Sequence, residues 1–120
     1  MRRSLTRQER LRRSKEIKEL FAAARRVEAR GVKLLYRANG RPGTRFAVVV
    51  ARGSGGAVRR NREKRISREA YRSLKESVLP GFDLVFLVFR FGAPYAERRE
   101  TMRQLIGRAG LQMQSGLRRQ

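Results

Sequence analysis

The chain contains no cysteine and no histidine, only ten acidic residues among 120, and no unbroken apolar run longer than Leu84 to Phe89. Each shortage removes a class of function. Without cysteine there are no disulfides and no thiolate metal sites, which fits a cytoplasmic protein. Without imidazole, serine and cysteine triads of the usual kind lack their base, and the common zinc sites lack their ligands. The apolar run is far too short to span a bilayer. Met1-Arg2-Arg3-Ser4 leads into no apolar segment, so no secretory signal is expected, and neither end carries a lipidation pattern. The ten acids are scattered, mostly beside arginines at helical spacing, where ion pairing is the default. Gly53-Ser54-Gly55-Gly56 lacks the Gly-Lys-Ser/Thr ending of a P-loop. No catalytic centre of the chain's own emerges. If it belongs to an enzyme, another component supplies the chemistry.

What the chain has instead is positive charge. Lys and Arg total 31, the formal charge is +21 and the pI is near 11.9. Such an excess works against compaction and is best explained by a polyanionic partner. The length suits one domain with a modest core. The most ordered arrangement of this charge is in residues 53–79: a glycine-rich hinge, then Arg59-Arg60-Asn61-Arg62-Glu63-Lys64-Arg65, then an amphipathic tail. On a helix, Ile66, Ala70, Tyr71, Leu74 and Val78 share one arc, while Asn61, Lys64, Arg65, Arg68, Arg72 and Lys75 share the opposite one. Glu63, Glu69 and Glu76 fall at the edges or on the packing side. A merely solvated face would mix both signs, whereas this one collects a single sign and an amide. Arginine's planar fork suits bidentate phosphate contacts. The stretch reads as a phosphate-binding helix.

Around it, residues 1–13 hold six arginines with only Leu5 and Leu11 as apolar anchors, the pattern of a flexible basic arm. Ser14 is suited to an N-cap, and Ile17, Leu20, Phe21 and Ala24 keep the spacing of a short amphipathic helix ending near residue 25. From its spacing alone, Phe21 reads first as a core aromatic. Residues 32–38 alternate as a strand, Asn39-Gly40-Arg41-Pro42-Gly43 marks a turn, and residues 44–52 form a second strand, apolar on both faces. This second strand is expected to be central and hairpin-paired with its predecessor, with residues 27–30 adding a short edge strand. Pro80-Gly81 ends the long helix. Residues 83–90 make the most apolar strand, so a strand–helix–strand crossover with a parallel pair follows. A last helix spans residues 95–109 with Met102, Leu105, Ile106 and Ala109 as its stripe. One domain is expected over residues 14–110, with residues 111–120 as a basic tail.

The block Arg60-Asn61-Arg62-Glu63-Lys64-Arg65-Ile66-Ser67-Arg68-Glu69-Ala70-Tyr71-Arg72 resembles the RNR signature helix of the protein subunit of bacterial ribonuclease P. Gly55-Gly56-Ala57-Val58 fits the loop leading into that helix. Arg10-Leu11 with Ile17 and Phe21, Leu34-Leu35-Tyr36, and Arg45-Phe46-Ala47-Val48-Val49-Val50 resemble the family's N-terminal and central-strand patterns. The matches cover about residues 9–91. The resemblance implies an α+β fold: a two-layer α/β sandwich of the ribosomal protein S5 domain 2-like type, in the order αβββαβα, with a left-handed crossover. It implies that an RNA subunit with bound Mg2+ performs catalysis, while the protein holds that RNA and the 5′ leader of precursor tRNA. Carried over by position, Arg59, Arg60, Asn61, Arg62, Lys64, Arg65, Arg68 and Arg72 would contact RNA. Ile17, Phe21, Tyr36, Arg45 and Arg52 would line the leader cleft. Ile17 stands where the family usually has an aromatic, and Arg52-Gly53 where a lysine pair is usual, which implies weaker leader contact.

Two other readings suit the same composition. A structural rRNA-binding protein of ribosomal type fits the size, charge and fold. A protein-only nuclease built from scattered carboxylates predicts metal-dependent cleavage by the chain alone.

Overall fold

The computed structural model describes residues 7–53 and 55–113. Its elements are α1 (Ser14–Ala23), β1 (Arg25–Ala29), β2 (Val32–Ala38), β3 (Arg45–Val50), α2 (Ala57–Leu74), β4 (Phe82–Val88) and α3 (Tyr95–Arg108), the order αβββαβα. The strands form one sheet in the order β1-β2-β4-β3. β1 runs antiparallel to β2 and β2 to β4, while β3 is parallel to β4.

Alternation along the strands divides the core between the two faces. On one face Val32, Leu34, Phe46, Val48, Leu84, Phe86 and Val88 pack against Ala70, Tyr71 and Leu74 of α2 and Met102, Leu105 and Ile106 of α3. Tyr71 stacks on Phe46 with ring centroids 4.2 Å apart. On the other face Leu35 and Val85 lie under Leu20 of α1 and Leu11, with Ile17, Phe21, Ala47, Val49 and Leu87 only partly covered. A ten-residue helix is about 15 Å long. It therefore roofs only part of a four-stranded sheet, and an apolar strip beside it stays half-open.

The expected pairing of residues 32–38 with 44–52 does not form, and β3 is not central. β4 takes the place between them, and β3 lies at the edge. Burial explains the choice. β4 is enclosed on both faces, with Leu84, Val85 and Phe86 fully buried, whereas β3 buries only Phe46, Val48 and Val50. Its second apolar face is Ala47 and Val49, the half-open strip. An unpaired edge invites association. Here Arg10 bridges to Phe46, and the Leu11 N–H donates to the Phe46 carbonyl at 2.7 Å.

That contact also moves the inner end of the expected basic arm onto the domain. Leu11 is buried and Glu9 pairs with Lys75 at 3.0 Å; residues 1–6 lie outside the described residues. The expected C-terminal tail likewise begins docked. Leu111 is buried, and Met113 donates its N–H to the Ser77 carbonyl at 2.7 Å; residues 114–120 lie outside the described residues. Ser14 is the first helical residue rather than the cap, which is Arg13. The long helix stops at Leu74, and a 3₁₀ turn over Lys75–Ser77 follows.

The β1–β2 hairpin turns on Arg30 and Gly31, both at positive φ, as a two-residue primed turn requires. A Cβ on Gly31 would collide with the Arg90 side chain, so this position needs glycine for space as well as for backbone conformation.

Candidate nucleic-acid interface

The face of α2 turned towards the sheet spans about 100° of the helical wheel, from Ala70 through Glu63, Leu74 and Ser67 to Tyr71. Ile66, expected on that arc, lies about 40° beyond its edge and is half-buried. The centre of the arc is therefore more polar than the pattern of apolar residues suggests. Opposite it, Asn61, Arg65 and Arg68 are exposed and Arg72 is partly so, whereas Lys64, expected among them, is half-buried about 20° past Tyr71 at the arc's other edge. Arg59 is exposed and Arg60 half-buried in the first turn. Among the described residues, none of Arg59, Arg60, Lys64, Arg65, Arg68 and Arg72 makes a salt bridge. Arg62 differs, since its Nη1 lies 3.3 Å from Glu63. Lys75, the last cation of the expected ladder, is held by Glu9.

Several acids that could have cancelled the ladder are engaged elsewhere, but Glu69, expected at the ladder's edge, is exposed on the outward face of α2 and makes no salt bridge among the described residues. Glu19 pairs with Arg37, Glu28 with Lys33 and Glu100 with Arg103. Glu63 is fully buried and faces Arg98, itself only 2% exposed. Arg98 donates from Nη2 to Glu63 Oε1 and from Nη1 to Ser67 Oγ, both at 2.8 Å. The Gly92 N–H donates to Glu63 Oε2 at 2.8 Å. Burial alone would raise the Glu63 carboxyl. The Gly92 N–H and the Arg98 and Arg62 guanidiniums outweigh it and hold the group below the usual carboxylate range. This cluster ties α2, α3 and the β4–α3 loop together, and it holds α2 with its arginines outward. Sequence reasoning missed Arg98, although it sits four residues before Met102 and seven before Leu105, on the α3 apolar stripe. Glu63 carried the same signal, four residues before Ser67 and seven before Ala70.

The residues expected to line one cleft do not all meet. Ile17 and Phe21 share the α1 face with Ala47, Val49 and Leu87, all half-buried around the cluster of Leu11, Leu20, Leu35 and Val85. Tyr36 is on the opposite face of the sheet, at the margin of the core under α2 and α3; strand alternation puts it in step with Leu34 rather than Leu35. Arg45 is on the α1 face but already occupied. It donates to Asp83 at 2.9 and 2.8 Å and reaches Glu16 at 3.3 Å. The Asp83 hydrogen bond raises its guanidinium further above the ordinary value. Arg45 thus pins α1 to the sheet. Arg52 is exposed in the loop before α2, beside Gly53 at φ 91°.

Burial would likewise raise Asp83, but hydrogen bonds from Arg45 and Asn39 and the nearby Arg37 charge bring it below the ordinary value. Both carboxylates are therefore depressed in the folded state, and the unfolded chain binds more protons over the same range. Their contribution is complete above the ordinary values of 4.5 and 3.8, and it is lost as pH falls through the folded ones. Urea midpoints should hold steady from pH 7 to 5 and drop between pH 4.5 and 3. Replacing Glu63 and Asp83 by their amides should flatten that slope.

A family model described as Ribonuclease P matches residues 5–110. The ribonuclease P protein component of Thermotoga maritima is 37% identical over 84 residues, covering 70% of this chain and 72% of the relative. That of Chloroflexus aggregans is 30% identical over 110 residues, covering 89% and 82%. The solved ribonuclease P protein of Thermotoga maritima superposes with a TM-score of 0.75 at 30% identity, over 83% of this chain and 96% of that one. The Staphylococcus aureus ribonuclease P protein, at 17% identity, shares the fold with a TM-score of 0.77 over 86% and 96%.

Proposed function

From the membership of this chain in the ribonuclease P protein family, we propose that it grips a catalytic RNA subunit through the outward face of α2 and guides the 5′ leader of precursor tRNA past α1. The observation that carries this reading is the run of α2 cations that make no salt bridge among the described residues, with Glu63, the acid within the run, buried against Arg98. The half-open strip of Ile17, Phe21, Ala47, Val49 and Leu87 supports the second part. It offers one aromatic ring and apolar ground for an unpaired strand in a positive field. Tyr36 and Arg45 are not included, since one faces away and the other is tied to Asp83.

Cleavage in this reading belongs to the RNA. Among the described residues no group of three or more acidic side chains converges; in this reading the divalent ions accompany the RNA. Among the described residues no helix is long and apolar enough to cross a membrane; the particle is assigned to the cytoplasm as part of the proposal. The ribosomal reading is not favoured, because the matched relatives are ribonuclease P proteins.

Reconstitution with a bacterial catalytic RNA at limiting Mg2+ tests the proposal. The intact chain should restore precursor-tRNA cleavage, and the Arg65→Ala/Arg68→Ala variant should require more Mg2+. Cleavage by the chain without RNA would contradict it. For the strip, Phe21→Ala should weaken binding of precursor carrying a leader by about 1–3 kcal/mol, with mature tRNA unaffected. A variant that unfolds instead would make Phe21 a core residue only.

A further inference from the structure

We propose that the recess between α2 and α3 accepts one unpaired guanine of an RNA strand, stacked on Tyr95 and held along its Watson–Crick edge by Glu69. This rests on the RNA-binding reading above and adds a base-selective position to it. The recess has a volume of about 300 Å³ and is lined by Glu69, Arg72, Ser73 and Tyr95. That is the lower end of small-ligand sites, room for a planar base and little more.

Three observations converge on a base. Tyr95, the first residue of α3, is 40% exposed, and a ring left open on so cationic a surface is a platform for stacking. Ser73 is already satisfied, donating to the Ala70 carbonyl and accepting from Arg99 Nε. Arg72 and Glu69 have no salt-bridge partner among the described residues, although Glu69 lies one helical turn from both Arg65 and Arg72. A free carboxylate on a phosphate-binding helix repels the strand unless the strand donates to it. A carboxylate only accepts, and two parallel donors suit it best. Guanine presents N1–H and N2–H₂ side by side. Adenine and cytosine offer a single amino group, and uracil flanks its one N–H with carbonyls. A strand following Arg65, Arg68 and Arg72 passes the mouth of the recess, so it can turn one base in without leaving the ladder.

The test uses the full chain and four fluorescent RNA octamers of uridine, differing only in a central G, A, C or U, titrated at low salt. The guanosine octamer should bind about tenfold more tightly than the all-uridine one. Tyr95→Ala should abolish that difference and Tyr95→Phe should keep it, with thermal melts confirming that both remain folded. Glu69→Gln should reduce the guanosine preference while sparing the general gain from stacking. Arg65→Ala/Arg68→Ala should weaken all four octamers yet preserve their ranking. Binding with no guanosine preference, or a preference untouched in Tyr95→Ala, would overturn the proposal alone. No binding of any octamer would instead overturn the RNA-binding reading on which it stands.

Discussion

Raising monovalent salt from 50 to 200 mM should weaken binding of this chain to its RNA subunit about a thousandfold if the ladder neutralises about six phosphates. The number follows from the α2 side chains that make no salt bridge among the described residues: Arg59, Arg60, Lys64, Arg65, Arg68 and Arg72. Each such contact adds about 0.9 to the slope of log affinity against log salt on a duplex, and less on a single strand. Arg65→Ala/Arg68→Ala should therefore lower the slope by about two, whatever the RNA sequence. Arg45→Ala is the informative control. Its guanidinium is occupied by Asp83 and Glu16, so stability should suffer while the slope stays put. Filter binding across a salt series reads both quantities. A slope indifferent to the α2 arginines would place the phosphate contacts elsewhere.

The largest effect on stability should come from Glu63→Ala. The substitution leaves Arg98 buried, charged and short of its main acceptor, a situation that costs about 3–5 kcal/mol. For a domain of this size that corresponds to a fall in melting temperature of roughly 15–25 °C. The Gly92 N–H loses its acceptor as well, which adds to the penalty. A paired replacement, Glu63→Leu with Arg98→Met, removes both charges together and should recover most of the loss, because a buried ion pair offsets its desolvation only narrowly. Arg99→Ala, which removes a bond to the half-buried Ser73, should cost far less. If Glu63→Ala melts like the intact chain, the cluster does not hold α2 against α3.

Much of this was legible in the residues, and the parts that were not share a cause. Element positions followed from periodicity and punctuation: α1, β2 and α3 begin within a residue of their expected starts. The parallel pair of β3 with β4 also followed, since a helix between two strands leaves little else. Strand order did not. Apolar character on both faces of residues 46–51 suggested a central strand, yet half of that surface is the floor of an open strip. Periodicity registers that a side chain is apolar but not whether another element covers it. Tyr36 fails for a related reason. Its place next to Leu35 says nothing of which face it shares with Phe21, because a one-residue step inverts the side.

Charge was decided at both levels. Composition alone pointed to a polyanionic partner, since 31 cations against ten acids admit no internal neutralisation. Only the folded arrangement settled which cations remain available. It drew Arg45, Arg98 and Lys75 into bonds with the chain's own carboxylates and left the α2 ladder free. Ion pairing acts over a few ångströms between residues far apart in the chain, as with Glu63 and Arg98, so it is fixed by packing rather than by order along the sequence.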